Sequence, residues 1–144
     1  IRRFAKEFPQ VNLAVSLHAV DNELRSRLVP LNDKYPLDQI SRALKDYIYS
    51  TKRKVFIEYV MLAGVNDSQT QARRLGEWLK GVASPKYFTV NLIPYNSTAY
   101  DYLASDKERV TAFSGLLTLL NVSSTIRKSL GADILGACGQ LADK

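Results

Sequence analysis

The side chains able to do more than pack gather at the ends of apolar runs. Ser16-Leu17-His18 closes the first run, Glu58 interrupts the second, and the third passes from Asn91 to Asn96. His18 is the only histidine in the 144 residues. An imidazole can hydrogen-bond a ligand or move a proton near neutral pH, yet a lone histidine is more often a packed or capping group. Ser16 offers its hydroxyl to a ligand or to a neighbouring strand, and Asn96, after Pro94, is a residue type that also simply makes turns. Glu58 is harder to dismiss, because a carboxylate inside an apolar strand needs a partner; a structural ion pair with an arginine is the commonest one. Cys138 is the lone cysteine, and small neighbours, Ala137 and Gly139, would let another molecule approach its sulfur. A thiol reacts as its thiolate, favoured by nearby positive charge or a helix N-terminus; the alternative is a small buried apolar side chain. One cysteine excludes an intrachain disulfide and any metal site of several thiolates within this sequence. It contains no Ser-His-Asp order, no phosphate-cradling glycine loop and no zinc spacing.

The elements that must position these groups follow from periodicity. Val11 to Leu17, Val55 to Leu62 and Tyr87 to Ile93 are β-rich and near-continuously apolar, the pattern of parallel strands covered on both faces. Between them, Leu37, Ile40, Leu44, Tyr47 and Ile48 recur at helical spacing, as do Leu75, Trp78 and Leu79 behind a candidate N-cap at Ser68. Asn66-Asp67 reads as the turn after the second strand, and Pro94 as the end of the third. Lys107 to Leu120 has the period of an amphipathic helix, with Val110, Phe113, Leu116, Leu117 and Leu120 on its apolar side, and Val122 to Arg127 a short strand. The Gly- and Ala-rich tail from Ser129 suggests a tightly packed loop with a half-turn of helix. Alternating strands and helices specify an α/β fold, and in a barrel of that kind functional groups collect at the C-terminal strand ends.

Composition narrows the class. Hydrophobic residues make up 46% and charged residues 24%, which excludes disorder, collagen-like repeats and coiled coil. No apolar run approaches the roughly 20 residues of a membrane span, and no signal peptide is evident. Twenty Lys and Arg against 14 Asp and Glu give a net charge of +6, which favours an anionic partner such as nucleic acid or an acidic membrane surface. The basic residues fall in short clusters (Arg2, Arg3, Lys6; Lys52, Arg53, Lys54; Arg73, Arg74; Arg127, Lys128), so solvated surface charge is the simpler reading and RNA contact stays open. The sequence opens at Ile1 in what reads as mid-helix, and is expected to be one domain cut at its N-terminal side from a longer protein.

Read together, these stretches resemble the C-terminal half of the RlmN/Cfr family of radical S-adenosylmethionine enzymes, which methylate an adenine of 23S rRNA. The resemblance is carried by Leu13-Ala-Val-Ser-Leu-His-Ala, Asp21-Asn-Glu-Leu-Arg, Leu28-Val-Pro-Leu-Asn, Phe56-Ile-Glu-Tyr-Val-Met-Leu, Gly64-Val-Asn-Asp, Val90-Asn-Leu-Ile-Pro-Tyr-Asn, Ile126-Arg-Lys, Gly131-Ala-Asp-Ile and Ala137-Cys-Gly-Gln-Leu. It implies that residues 1–144 are the C-terminal part of a partial (βα)6 barrel: its last three strands, then a C-terminal helix and a short strand. The family's CxxxCxxC loop, which holds a 4Fe–4S cluster, and the following strand that carries its GE motif are not in this sequence; Gly76-Glu77 lies in a stretch of helical period instead. The fragment alone is therefore expected to hold no cluster and to be inactive.

The resemblance places Ser16, Leu17, His18 and Asn96 at the S-adenosylmethionine site and makes Cys138 the methyl carrier. One S-adenosylmethionine methylates the Cys138 sulfur; a second yields a radical that activates that methyl group for addition to the adenine ring; a cysteine elsewhere resolves the adduct. Such a route suits an sp² amidine carbon that is not itself a nucleophile. Implied partners are 23S rRNA, a tRNA in some bacteria, and an electron donor such as flavodoxin, with no membrane, and the implied location is the cytoplasm. Many members continue Asn-Pro where this sequence has Asn96-Ser97, so the loop near the cofactor is expected to differ. Carbon 2 of the adenine is the expected target. The alternatives are carbon 8 methylation of the Cfr type, which gives antibiotic resistance, a same-barrel radical enzyme with another substrate, a phosphate-handling barrel fragment, and a non-catalytic basic RNA-binding module.

Overall fold

Strands and helices alternate along the chain in a computed structural model that describes residues 1–96 and 102–127. Helix α1 (Arg2–Glu7) leads into β1 (Leu13–Ser16), α2 (Asn22–Leu28), a 3-10 turn at Pro30–Asp33 and α3 (Leu37–Thr51). Then follow β2 (Val55–Met61), α4 (Gln69–Val82), a second 3-10 turn at Pro85–Tyr87, β3 (Phe88–Pro94), α5 (Lys107–Leu119) and β4 (Ser123–Ile126). The strands form one four-stranded sheet in the order β1-β2-β3-β4. Every pairing is parallel. An α/β fold of repeated βα units is what the periodicity specifies.

Local chemistry sets the helix starts. Asp21, Ser68 and Asp106 each accept an amide hydrogen three residues on, from Leu24, Gln71 and Arg109, which caps α2, α4 and α5. Helix α3 lacks such a cap of its own; Asn22 reaches across to accept from the Leu37 amide at 3.1 Å. Its other end closes on Lys52 in the left-handed region at φ 57°.

Packing is one-sided. Val55, Ile57, Tyr59 and Met61 of β2 and Phe88, Val90 and Leu92 of β3 are fully buried, in one cluster with Leu44, Tyr47, Leu75, Leu79, Phe113 and Leu117 from the helices. The alternate residues Phe56, Glu58, Val60, Thr89, Asn91 and Ile93 are only half-buried, and Ala14, Ser16, Ser123 and Thr125 are exposed. The near-continuous apolar runs predict cover on both faces. Among the described residues the crossover helices cover one face, and apolar Phe56, Val60 and Ile93 extend the runs onto the other. Gly76 lets α4 approach the chain after α5, since a Cβ there would collide with Leu120.

Candidate functional site

Strand β1 stops because side chains take over its hydrogen bonds. The Leu17 amide makes the last ladder bond, to the Glu58 carbonyl at 3.0 Å. Arg25 then donates from Nε to the Leu17 carbonyl at 3.1 Å, from Nη2 to the Ser16 carbonyl at 3.3 Å, and from Nη1 to Asn32 Oδ1 at 2.7 Å. Asn32 in turn donates to the Asn22 carbonyl and to Ser26 Oγ. Arg25 and Asn32 are only 4% and 2% exposed. The guanidinium thus spreads its charge over carbonyl dipoles rather than a carboxylate, and burial lowers its pKa.

At His18 the backbone turns into the left-handed region, φ 61°. Histidine visits that region more readily than bulky or β-branched residues do, and the conformation persists only where neighbours hold it. Its Nδ1 accepts from the Val60 amide at 3.1 Å, continuing the ladder that β1 has left. Asn66, fully buried, donates from Nδ2 to the His18 and Val60 carbonyls at 2.9 and 2.7 Å while its Oδ1 accepts from the Leu62 amide at 2.8 Å. The Tyr59 hydroxyl donates to the Asn66 carbonyl at 2.8 Å, completing the latch. Because Nδ1 is an acceptor, the imidazole is neutral with its hydrogen on Nε2. Burial, with the Arg25 charge adding, lowers its pKa from 6.5 to about 4.

On the half-open face, register aligns Ser16 with Glu58, Glu58 with Asn91, and Asn91 with Thr125. Asn91 Nδ2 donates to Glu58 Oε1 at 2.7 Å, and Thr125 Oγ1 donates to Asn91 Oδ1 at 2.7 Å. Glu58 Oε2 is shielded from solvent and, among the described residues, has no hydrogen-bond partner. Arg127 Nη1 lies 3.9 Å from it, near enough for attraction and too far for a hydrogen bond. The arginine expected beside Glu58 is therefore present, but the amide of Asn91 is its direct partner. Asn96, half-buried, follows β3 two residues beyond Pro94.

A second polar cluster lies elsewhere. Asp67 accepts from the Gly64 amide at 3.0 Å, from Ser105 Oγ at 2.9 Å and from Arg109 Nη1 at 3.3 Å. It borders a cleft of about 230 Å³ with Ser68, Gln69, Arg109, Ala112 and Phe113. These bonds tie the β2–α4 turn to the start of α5; the cleft is apart from the polar row and shares none of its residues.

Comparison with known proteins gives this geometry a context. No family model matches the chain. A probable dual-specificity RNA methyltransferase RlmN of Streptococcus mutans serotype c is 49% identical over 143 residues, covering 98% of this chain and 39% of that protein. The dual-specificity RNA methyltransferase RlmN of Desulfotalea psychrophila is 45% identical over 141 residues, covering 97% of this chain and 38% of its own length. The crystal structure of a radical SAM methyltransferase from Sphaerobacter thermophilus matches with a TM-score of 0.88 at 41% identity, over 97% of this chain and 41% of that one. The chain is homologous to the RlmN proteins. It spans about two-fifths of the curated relatives it matches, 39% in the first case.

Within this RlmN-related segment the structure brings Ser16, Leu17 and His18 to one strand end, beside Glu58. Leu17 has its side chain in the core and both backbone polar groups engaged, so its polar atoms are spent within the fold. Ser16 keeps an exposed side chain, and among the described residues nothing accepts from His18 Nε2. Cys138 lies outside the described residues. Among the described residues, no three His, Cys, Asp or Glu side chains come together as metal ligands would. Sequence reasoning missed Arg25, Asn32 and Thr125 as site supports and took Asn66 for a turn former. Arg25 and Asn32 do stand in two of the family-like stretches, which was the available signal.

Proposed function

We propose that this chain is the cofactor-holding and methyl-carrying part of a radical S-adenosylmethionine RNA methyltransferase, acting on carbon 2 of an adenine in 23S rRNA and in tRNA. The observation that carries the reading is the 49% identity along 98% of the chain to a protein named as a dual-specificity RNA methyltransferase. The strand-end geometry supports it. S-adenosylmethionine presents hydroxyl, ammonium and carboxylate groups that need fixed hydrogen-bond partners. Ser16 supplies a hydroxyl, His18 a neutral imidazole whose Nε2–H is a donor, and Asn96 an amide, all beyond or beside the C-terminal strand ends. Leu17 contributes through its backbone, which fixes the neighbours on either side.

When bound, S-adenosylmethionine supplies the methyl group and, with an electron from a 4Fe–4S cluster, radical chemistry. The cluster would be held by residues of the rest of the enzyme, with the electron arriving from a donor such as flavodoxin. Residues 1–144 are thus read as the C-terminal part of the radical core domain. Cys138 is read as the nucleophilic thiol that carries the methyl group, a role that needs its thiolate. The surplus of six positive charges suits an RNA partner, and exposed Lys52 sits 4.5 Å from the Tyr49 ring centroid, a cation with an aromatic face beside it. No helix among the described residues is long and apolar enough to cross a membrane, and a cytoplasmic enzyme fits a ribosomal substrate.

The test is Cys138→Ala in the full-length enzyme. It should still cleave S-adenosylmethionine and transfer no methyl group to RNA; robust methylation by the variant would end the methyl-carrier role.

A further inference from the structure

We infer that Glu58 is a ligand-contacting residue whose Oε2 accepts a hydrogen bond from an N–H or O–H group of S-adenosylmethionine. The inference rests on the reading above that the cofactor is held at the C-terminal strand ends by Ser16 and His18, because Glu58 pairs with Ser16 at the end of β1. Glu58 stands beside Ser16 in register, on the same face and two residues short of Val60, whose amide His18 captures. Its carboxylate is already aimed: Thr125 orients the Asn91 amide, and that amide holds Oε1 at 2.7 Å. A three-strand relay of this kind fixes one oxygen and leaves the other in a defined direction.

That second oxygen lacks what a buried carboxylate requires. Oε2 is shielded and makes no hydrogen bond among the described residues. Burying a charged acceptor without a donor is costly, so such an atom points to a partner that arrives with a ligand. Among the described residues, the cations at this strand end do not fill the role. Arg127 is 3.9 Å away with its side chain 54% exposed, and Arg25 is spent on the Ser16 and Leu17 carbonyls and on Asn32. A carboxylate is a natural acceptor for ribose hydroxyls and for an ammonium group, and the cofactor carries both. A strut that only bridged β2 to β3 would need no more than the Asn91 bond, and an asparagine-compatible amide would serve there without stranding a charge.

The experiment uses the full-length enzyme with its cluster assembled, and S-adenosylmethionine and S-adenosylhomocysteine as probes in equilibrium binding. Glu58→Gln keeps the size and an oxygen for Asn91 but turns an amide toward the ligand. It should bind S-adenosylmethionine about tenfold more weakly, the loss of one charge-assisted hydrogen bond, while the ligand-free thermal midpoint holds or rises. An equal loss for S-adenosylhomocysteine assigns the contact to a hydroxyl or amine; a loss confined to S-adenosylmethionine assigns the effect to the sulfonium charge and overturns the hydrogen bond. Thr125→Val, at the exposed far end of the relay, is the second probe and should weaken binding by a smaller factor without loss of stability. Wild-type affinity in both variants, or in Thr125→Val alone should Glu58→Gln fail to fold, overturns the inference. A lower midpoint with intact affinity makes Glu58 a strut and does the same. Wild-type enzyme that binds neither probe contradicts the proposed function itself, and this inference with it.

Discussion

His18 accepts the amide hydrogen of Val60 through Nδ1 at 3.1 Å, so a side chain replaces the ladder bond that β1 no longer supplies. The bond exists only while the imidazole is neutral. In the folded protein the pKa is lowered from 6.5 to about 4, first by burial and then by Arg25. The unfolded chain therefore binds this proton more readily than the folded one between those values. The stabilisation is complete above about pH 6.5 and is lost as pH falls toward 4, by at most about 3 kcal/mol. Thermal midpoints of the full-length enzyme between pH 7 and 4.5 should fall more steeply for wild type than for His18→Asn, whose amide can occupy a left-handed backbone and accept without titrating. Parallel profiles would contradict the assignment.

Arg25→Lys keeps the charge and discards the fork. A lysine cannot reach the Ser16 carbonyl, the Leu17 carbonyl and Asn32 together, as Arg25 does. The expected loss is roughly 2 to 3 kcal/mol of stability, since Asn32 Oδ1 and the Ser16 carbonyl lose their donor while the Leu17 carbonyl keeps only the Ala19 amide, together with weaker S-adenosylmethionine binding as the strand end loosens. Chemical denaturation and equilibrium binding check the two parts. Wild-type stability in Arg25→Lys would show that the fork is dispensable.

Asn66→Asp changes one atom type and reverses the chemistry. Asn66 Nδ2 faces the His18 and Val60 carbonyls at 2.9 and 2.7 Å, so an aspartate oxygen there would confront two acceptors. A destabilisation of roughly 2 to 4 kcal/mol is expected from the lost bonds and the stranded charge, read as an earlier denaturant midpoint. A variant as stable as wild type would mean that the latch does not hold the His18 turn.

The elements were legible because their signals are local. The α3 stripe Leu37, Ile40, Leu44, Tyr47 and Ile48 is buried throughout, Ser68 caps α4, and β2 and β3 lie within a residue of their apolar runs. Short α2 was not legible, since its anchors Arg25 and Asn32 are residue types that usually face water. Asn66 has the composition of a turn residue and the burial of a core residue, and only the fold distinguishes these. The polar row was half legible. Ser16, Glu58 and Asn91 stood out singly, but their alignment with Thr125 depends on register, which no single strand specifies.

The most direct measurement is mass spectrometry of the tryptic peptide from Ser129 to Lys144, taken from full-length enzyme expressed with its iron–sulfur cluster. The proposed function predicts one added methyl group on the sulfur of Cys138. An unmodified thiol, in enzyme shown to hold an intact cluster and to cleave S-adenosylmethionine, would contradict it.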